Sequence, residues 1–129
     1  MKKLFLSVIA FAGFFISASS QTKPVITTTI KTPNALCEAC KTRIETYLKR
    51  YDGVGYILVN YRRGETKVKY LTDRTDIEQI KTAIANAGYD ADDVPAEETA
   101  YKRLPLSCKK FEDGGGHPKP KVAVPPAGQ

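Results

Sequence analysis

Tryptophan is absent from this sequence, histidine and methionine occur once each, and cysteine occurs three times. An odd cysteine count excludes a complete internal disulfide framework in an exported chain, so at least one thiol needs another use. The longest apolar run, residues 4–16, is too short to cross a bilayer as a helix. No internal repeat is found. The basic residues do not interleave with aromatics, which argues against a nucleic-acid surface.

What is present begins with "MKKLFLSVIAFAGFFISASS", which has the three parts of an export signal. Lys2 and Lys3 precede the apolar run, and Ala18 and Ser20 set small residues before a cut ahead of Gln21. Residues 1–20 are therefore expected to be a signal peptide, and the protein to be exported, into a periplasm, with no stable membrane insertion after cleavage. Cleavage leaves roughly 110 residues, one domain of ordinary size. Losing two lysines lowers the formal charge from +6 to about +4, a weak basic balance.

The mature part reads β-α-β-β-α-β. "VITTTIKT" is β-branched and predicts a first strand, ended by Pro33 and Asn34. From Glu38 to Tyr51, Ile44, Tyr47, Leu48 and Tyr51 recur on one helical face, and Asp52-Gly53 supplies the stop. "VGYILVNY" and "ETKVKY" flank Arg62-Arg63-Gly64 and predict a hairpin, with Val68 and Tyr70 alternating with Lys67 and Lys69. Thr75-Asp76-Ile77-Glu78 fits a capping box for a second helix with Ile77, Ile80, Ile84 and Ala87 inward, ending at Gly88. Residues 91–94 are expected to form a short fourth strand. The order predicts an α+β fold, a ferredoxin-like βαββαβ sandwich with two helices on one face of an antiparallel sheet, over roughly seventy residues. It occupies residues 21–96. A C-terminal extension with Cys108 follows at 97–111, with "AEETAYKRL" as a short helix, and a Gly- and Pro-rich disordered tail at 112–129.

Within "NALCEACKTRIE", Cys37 and Cys40 lie three positions apart where an irregular segment turns into a helix. The topology places Cys37, Cys40, Gly88 and Tyr89 at one end of the sheet. Unpaired amides at a helix N-terminus stabilise thiolate over thiol; Lys41 adds to this and Glu38 opposes it. Three uses are open: soft-metal ligands, a redox pair, or core packing. Packing is disfavoured because Cys37 precedes the apolar stripe and Cys40 is followed by polar residues at an expected surface loop. Two thiolates without a nearby histidine or carboxylate pair suit a soft, low-coordinate ion such as Cu(I) or Hg(II), whereas closed Zn(II) sites want four ligands.

Cys37-x-x-Cys40, the helix beginning "KTRIETYL", the segment "GVGYILVN" and "AIANAGYDA" together resemble the heavy-metal-associated domain over about residues 25–95. That family includes soluble copper chaperones, N-terminal modules of metal-pumping ATPases and the periplasmic mercury-binding protein. The resemblance implies that Cys37 and Cys40 ligate one soft ion, Cu(I) first, with Hg(II) or Zn(II) as alternatives. It implies that Tyr89 shields the site. It also implies a non-enzymatic, monomeric carrier that exchanges metal with a transporter or another metal-binding domain. Where the family has Gly-Met-x before the first cysteine, this chain has Asn34, Ala35 and Leu36. The rival is a periplasmic thiol-disulfide oxidoreductase using the same CxxC, disfavoured by the missing tryptophan and the short βαββαβ pattern.

Cys108 in "YKRLPLSCKK" is the leftover thiol and a candidate third ligand or cap. A fourth strand would carry Pro95 to the far end of the sheet, roughly 20 Å from the loop. The chain from Pro95 to Cys108 spans about 43 Å extended and about 20 Å helical, enough to return. His117, in "DGGGHPKP", is expected to be a spacer residue in the flexible tail.

Overall fold

The computed structural model describes residues 24–118. The expected signal segment and residues 119–129 of the expected disordered tail lie outside the described residues. Strands β1 (Val25–Lys31), β2 (Val54–Asn60) and β3 (Glu65–Leu71) form one antiparallel sheet in the order β1-β3-β2. The central strand shows the expected alternation. Thr66, Val68 and Tyr70 point into the core while Lys67 and Lys69 face out. Register places Ile30 of β1 and Val59 of β2 on either side of Thr66.

Helices α1 (Glu38–Leu48) and α2 (Ile77–Asn86) cover the inner face. Ile44 and Leu48 from α1 meet Ile80, Ala83 and Ile84 from α2 in the buried core, while Tyr47, Tyr51 and Ile77 pack half-buried at its margin. This sandwich is the ferredoxin-like frame expected from the pattern.

Three local expectations are corrected. Helix α1 stops at Leu48 rather than Tyr51, because Arg50 N donates to Tyr47 O and Tyr51 N to Leu48 O in tightened turns, before Gly53 turns the chain at φ +87°. The cap of α2 is Asp76, not Thr75: its Oδ1 accepts from Gln79 N at 2.8 Å and its Oδ2 from Gln79 Nε2 at 2.9 Å. The fourth strand does not form. Asp92 turns at φ +51°, and Ala91 and Val94 exchange backbone bonds of 2.8 and 2.9 Å, which occupies the groups a strand would have offered to β1. Asp92 alone of the residues 91–94 bonds to that edge in the hydrogen bonds found among the described residues, its N–H donating to Lys31 O and its Oδ1 accepting from Lys31 N, both at 2.8 Å.

The lost strand redirects the chain. Ala96 N donates to Asp90 Oδ1 at 2.9 Å and Glu97 N to Ala85 O at 2.9 Å, so the extension starts beside the cysteine loop instead of at the far end of the sheet. It continues as a short helix, α3 (Glu98–Lys102), and 3-10 turns at Leu106–Cys108 and Phe111–Asp113. Among the described residues no helix is long and apolar enough to cross a membrane.

Candidate metal centre

Cys37 is the N-cap of α1. Its backbone is extended (φ −137°, ψ 161°) and its Sγ accepts from Cys40 N at 3.1 Å, so the sulfur takes the place of a capping oxygen. The preceding loop is held from below. Ala35 N donates to Thr32 O at 3.0 Å, Thr32 N to Gly64 O at 2.7 Å, and Asn34 Oδ1 accepts from Asp90 N at 2.8 Å. Ala35 is completely buried, so the position where the family has methionine still points into the core.

Cys37 and Cys40 are joined as a disulfide, and Cys108 is a free, buried thiol whose Sγ lies 3.4 Å from that of Cys37. All three sulfurs lie within 4.8 Å of one another. Three sulfurs bound to one ion at about 2.3 Å stand about 4 Å apart, so the trio fits a single soft ion once the disulfide is reduced. Cys40 is fully buried, contrary to the surface loop expected there. The reason is the extension, which lies over the start of α1.

Tyr89 is also fully buried. Its Oη makes no hydrogen bond of ordinary geometry, and Cys108 is beside it. Burial first, and then the Cys108 sulfur, push the phenol's pKa up, with Arg43 opposing weakly. Tyr89 therefore stays neutral beside the Cys108 sulfur.

The expected disordered tail is corrected over residues 112–118. His117 is 4% exposed and its Nε2 lies 3.3 Å from Cys40 Sγ. Burial pushes its pKa down, which favours neutral imidazole. Composition misled here because glycine has two uses. Gly114 turns at φ +71°, and a Cβ on Gly115 would sit 2.2 Å from Lys109 O. The glycines thus permit a close backbone return. Gly115 N donates to Lys110 O at 2.9 Å and Gly116 N to Leu106 O at 2.8 Å, which brings His117 over the cysteines. The signal available in the sequence was the single histidine of the chain directly after three glycines.

Polar anchors fix this cover. Lys110 Nζ pairs with Asp90 Oδ2 at 3.2 Å, Lys110 N donates to Tyr101 Oη at 2.9 Å, and the Tyr101 hydroxyl donates to Asp113. A cleft of about 410 Å³ opens between cover and loop, bordered by Pro33, Asn34, Leu36, Phe111 and His117.

Comparison with known proteins agrees with this frame. The heavy-metal-associated domain matches residues 29–90. A copper-exporting P-type ATPase of Staphylococcus aureus (strain Newman) is 37% identical over 75 residues, 57% of this chain and 9% of that protein. The chain thus spans about a tenth of the length of the curated relatives it matches. The CopZ metallochaperone structure is 30% identical with a TM-score of 0.50, covering 51% of this chain and 98% of that one. Oxidized MerP from Ralstonia metallidurans CH34 shares the fold at 23% identity and a TM-score of 0.51, over 54% of this chain and 96% of that one. With a CxxC at the first helix start, the βαββα frame and a near full-length metallochaperone match, the chain belongs to the heavy-metal-associated domain family.

Proposed function

We propose that this protein is an exported carrier of one soft metal ion, Cu(I) in preference to Hg(II), held by Cys37 and Cys40 with Cys108 as a third sulfur. The observation that carries this reading is the sulfur trio within 4.8 Å at a helix N-terminus. The names of its relatives, a copper-exporting ATPase and a metallochaperone, support copper. The export reading rests on residues 1–20, and places the work in the periplasm.

The ion is cargo, and the chemistry is ligand exchange rather than catalysis. A partner thiol loses its proton and its sulfur bonds to the held ion. One cysteine–metal bond then breaks, the released thiolate takes up a proton, and no electrons change hands. The partner is a metal transporter or another metal-binding domain, met by the protein as a monomer.

Anaerobic titration of the reduced protein against a Cu(I) chelator, beside Hg(II) and Zn(II), tests the reading. The parent is expected to take one equivalent of Cu(I), and Cys37→Ser with Cys40→Ser to lose most of the affinity, because a hydroxyl is a hard and mostly protonated ligand. Equal competition by the double variant would place the site elsewhere.

The Cys37–Cys40 disulfide with Cys108 next to it gives a second reading, a thiol-disulfide oxidoreductase. Insulin reduction by the reduced protein separates the two: the carrier is inactive in it, the enzyme is not.

A further inference from the structure

His117 is a nitrogen donor at this site that the three-sulfur carrier leaves unused. It is the only histidine in the chain, and it is buried where an imidazole must lose its water. Its Nδ1 has no partner, and its Nε2 faces the sulfur of Cys40 at 3.3 Å. An ion bound tetrahedrally at about 2.3 Å from sulfur and about 2.0 Å from imidazole nitrogen has sulfur–nitrogen edges near 3.5 Å and sulfur–sulfur edges near 3.8 Å. The Cys40–His117 separation and the 3.4 Å Cys37–Cys108 separation approach two opposite edges of such a tetrahedron, while the imidazole stands outside the 4.8 Å sulfur trio and must close on Cys37 and Cys108 when the ion binds. Opening the disulfide supplies a third by letting the bonded sulfurs part.

We propose that residues 106–117 are a metal-closing cover, and that His117 is the fourth donor of a Cys3His site, Cys37, Cys40, Cys108 and His117, that takes zinc(II). The proposal rests on Cys37 and Cys40 being ligands, and adds a tetrahedral divalent ion to the low-coordinate one. Two donors come from the family frame and two from an extension beyond the matched residues 29–90. The cover is shaped for the task. Gly115 alone fits against Lys109 O, and the Gly116 N to Leu106 O bond of 2.8 Å closes the loop that presents His117.

Loading balances simply. A dithiol or phosphine reductant supplies two electrons to the Cys37–Cys40 disulfide, and two protons complete the thiols. Zinc binding then releases the three thiol protons, while neutral His117 binds through Nε2 and keeps its proton on Nδ1. The orphaned Nδ1–H is left facing protein rather than a carbonyl, which makes this a weaker histidine ligand than one with a hydrogen-bonded partner.

The test uses the reduced full chain with cobalt(II) as the spectroscopic stand-in, then zinc(II) in competition. The parent is expected to give intense tetrahedral visible bands and strong thiolate charge transfer, both erased by zinc, and a zinc-dependent shift of the single imidazole's Nε2 in the ¹⁵N spectrum. His117→Ala should weaken zinc at least about tenfold and lower the cobalt band intensity. Gly115→Ala, which touches no donor, should do the same. Parent-like far-UV circular dichroism and amide dispersion of both reduced variants show that they are folded. Parent-like cobalt spectra and zinc affinity in His117→Ala, or an unmoved Nε2 resonance, would overturn the fourth donor while leaving the carrier intact. Loss of neither metal in the Cys37→Ser, Cys40→Ser protein would instead overturn the carrier reading beneath it.

Discussion

At the scale of single residues, the three cysteines differ in what they contribute. Cys37 acts first as a helix cap, with its sulfur 3.1 Å from Cys40 N, so changing it disturbs both the ion and the start of α1. Serine at this position restores a capping oxygen, which makes Cys37→Ser a cleaner probe of metal binding than alanine. Cys108 carries no such structural bond and is fully buried beside Tyr89. X-ray absorption on the Cu(I)-loaded protein should therefore show three sulfurs in the parent and two in Cys108→Ser, with the βαββα frame unchanged. Two sulfurs in both proteins would remove Cys108 from the ligand set. Asn34 illustrates the opposite case, a residue outside the sulfur trio whose Oδ1 accepts from Asp90 N and ties the cysteine loop to the segment after α2.

At the scale of elements, the strands and helices that sequence pattern reveals are those whose periodicity is set by burial on one face. Val68 and Tyr70 against Lys67 and Lys69, and Ile44 with Leu48, are of this kind, and their elements form where expected. The CxxC loop was legible through its spacing at a helix start. The fourth strand was not decided by periodicity, because Asp92 and Pro95 favour a turn that a four-residue window does not separate from a strand. His117 escaped for a related reason: glycine content signals flexibility unless the backbone it must pass is known. Helix α3 shows how the extension is held. Glu97 caps it, and the Thr99 hydroxyl with the Thr99 and Ala100 amides holds its carboxyl below the usual carboxylate range. A depressed folded pKa means the cap's contribution is complete above the ordinary value of about 4.3 and fades as pH falls through the folded value. NMR on acidification should thus show the Thr99 and Ala100 amides shifting with a midpoint below that value. Glu97→Gln should lose this titration, and a midpoint above about 4.3 would contradict a carboxyl stabilised in its charged form.

At the scale of the whole molecule, the extension brings Cys108 and His117 to the cysteine loop of the sandwich, so the redox state of one loop governs what the assembled protein can bind. A disulfide sulfur carries no negative charge and its bonding electrons are committed to its partner. With Cys37 and Cys40 joined, Cys108 is the only thiol left among the described cysteines, and it and His117 cannot hold a soft ion tightly as a pair. An oxidising compartment would therefore keep the protein empty until a reductant or a thiol-bearing partner opens the loop. Protein shown by intact mass to be two hydrogens lighter, with peptide mapping assigning the link to Cys37 and Cys40, should fail to compete for Cu(I). Treatment with a dithiol followed by anaerobic removal should restore one full equivalent. The fold should survive both states, because Ile44, Leu48, Val68, Ile80 and Ile84 form the core without help from the disulfide. Undiminished Cu(I) competition by the mapped oxidised protein would show that the ion is held by donors other than this pair.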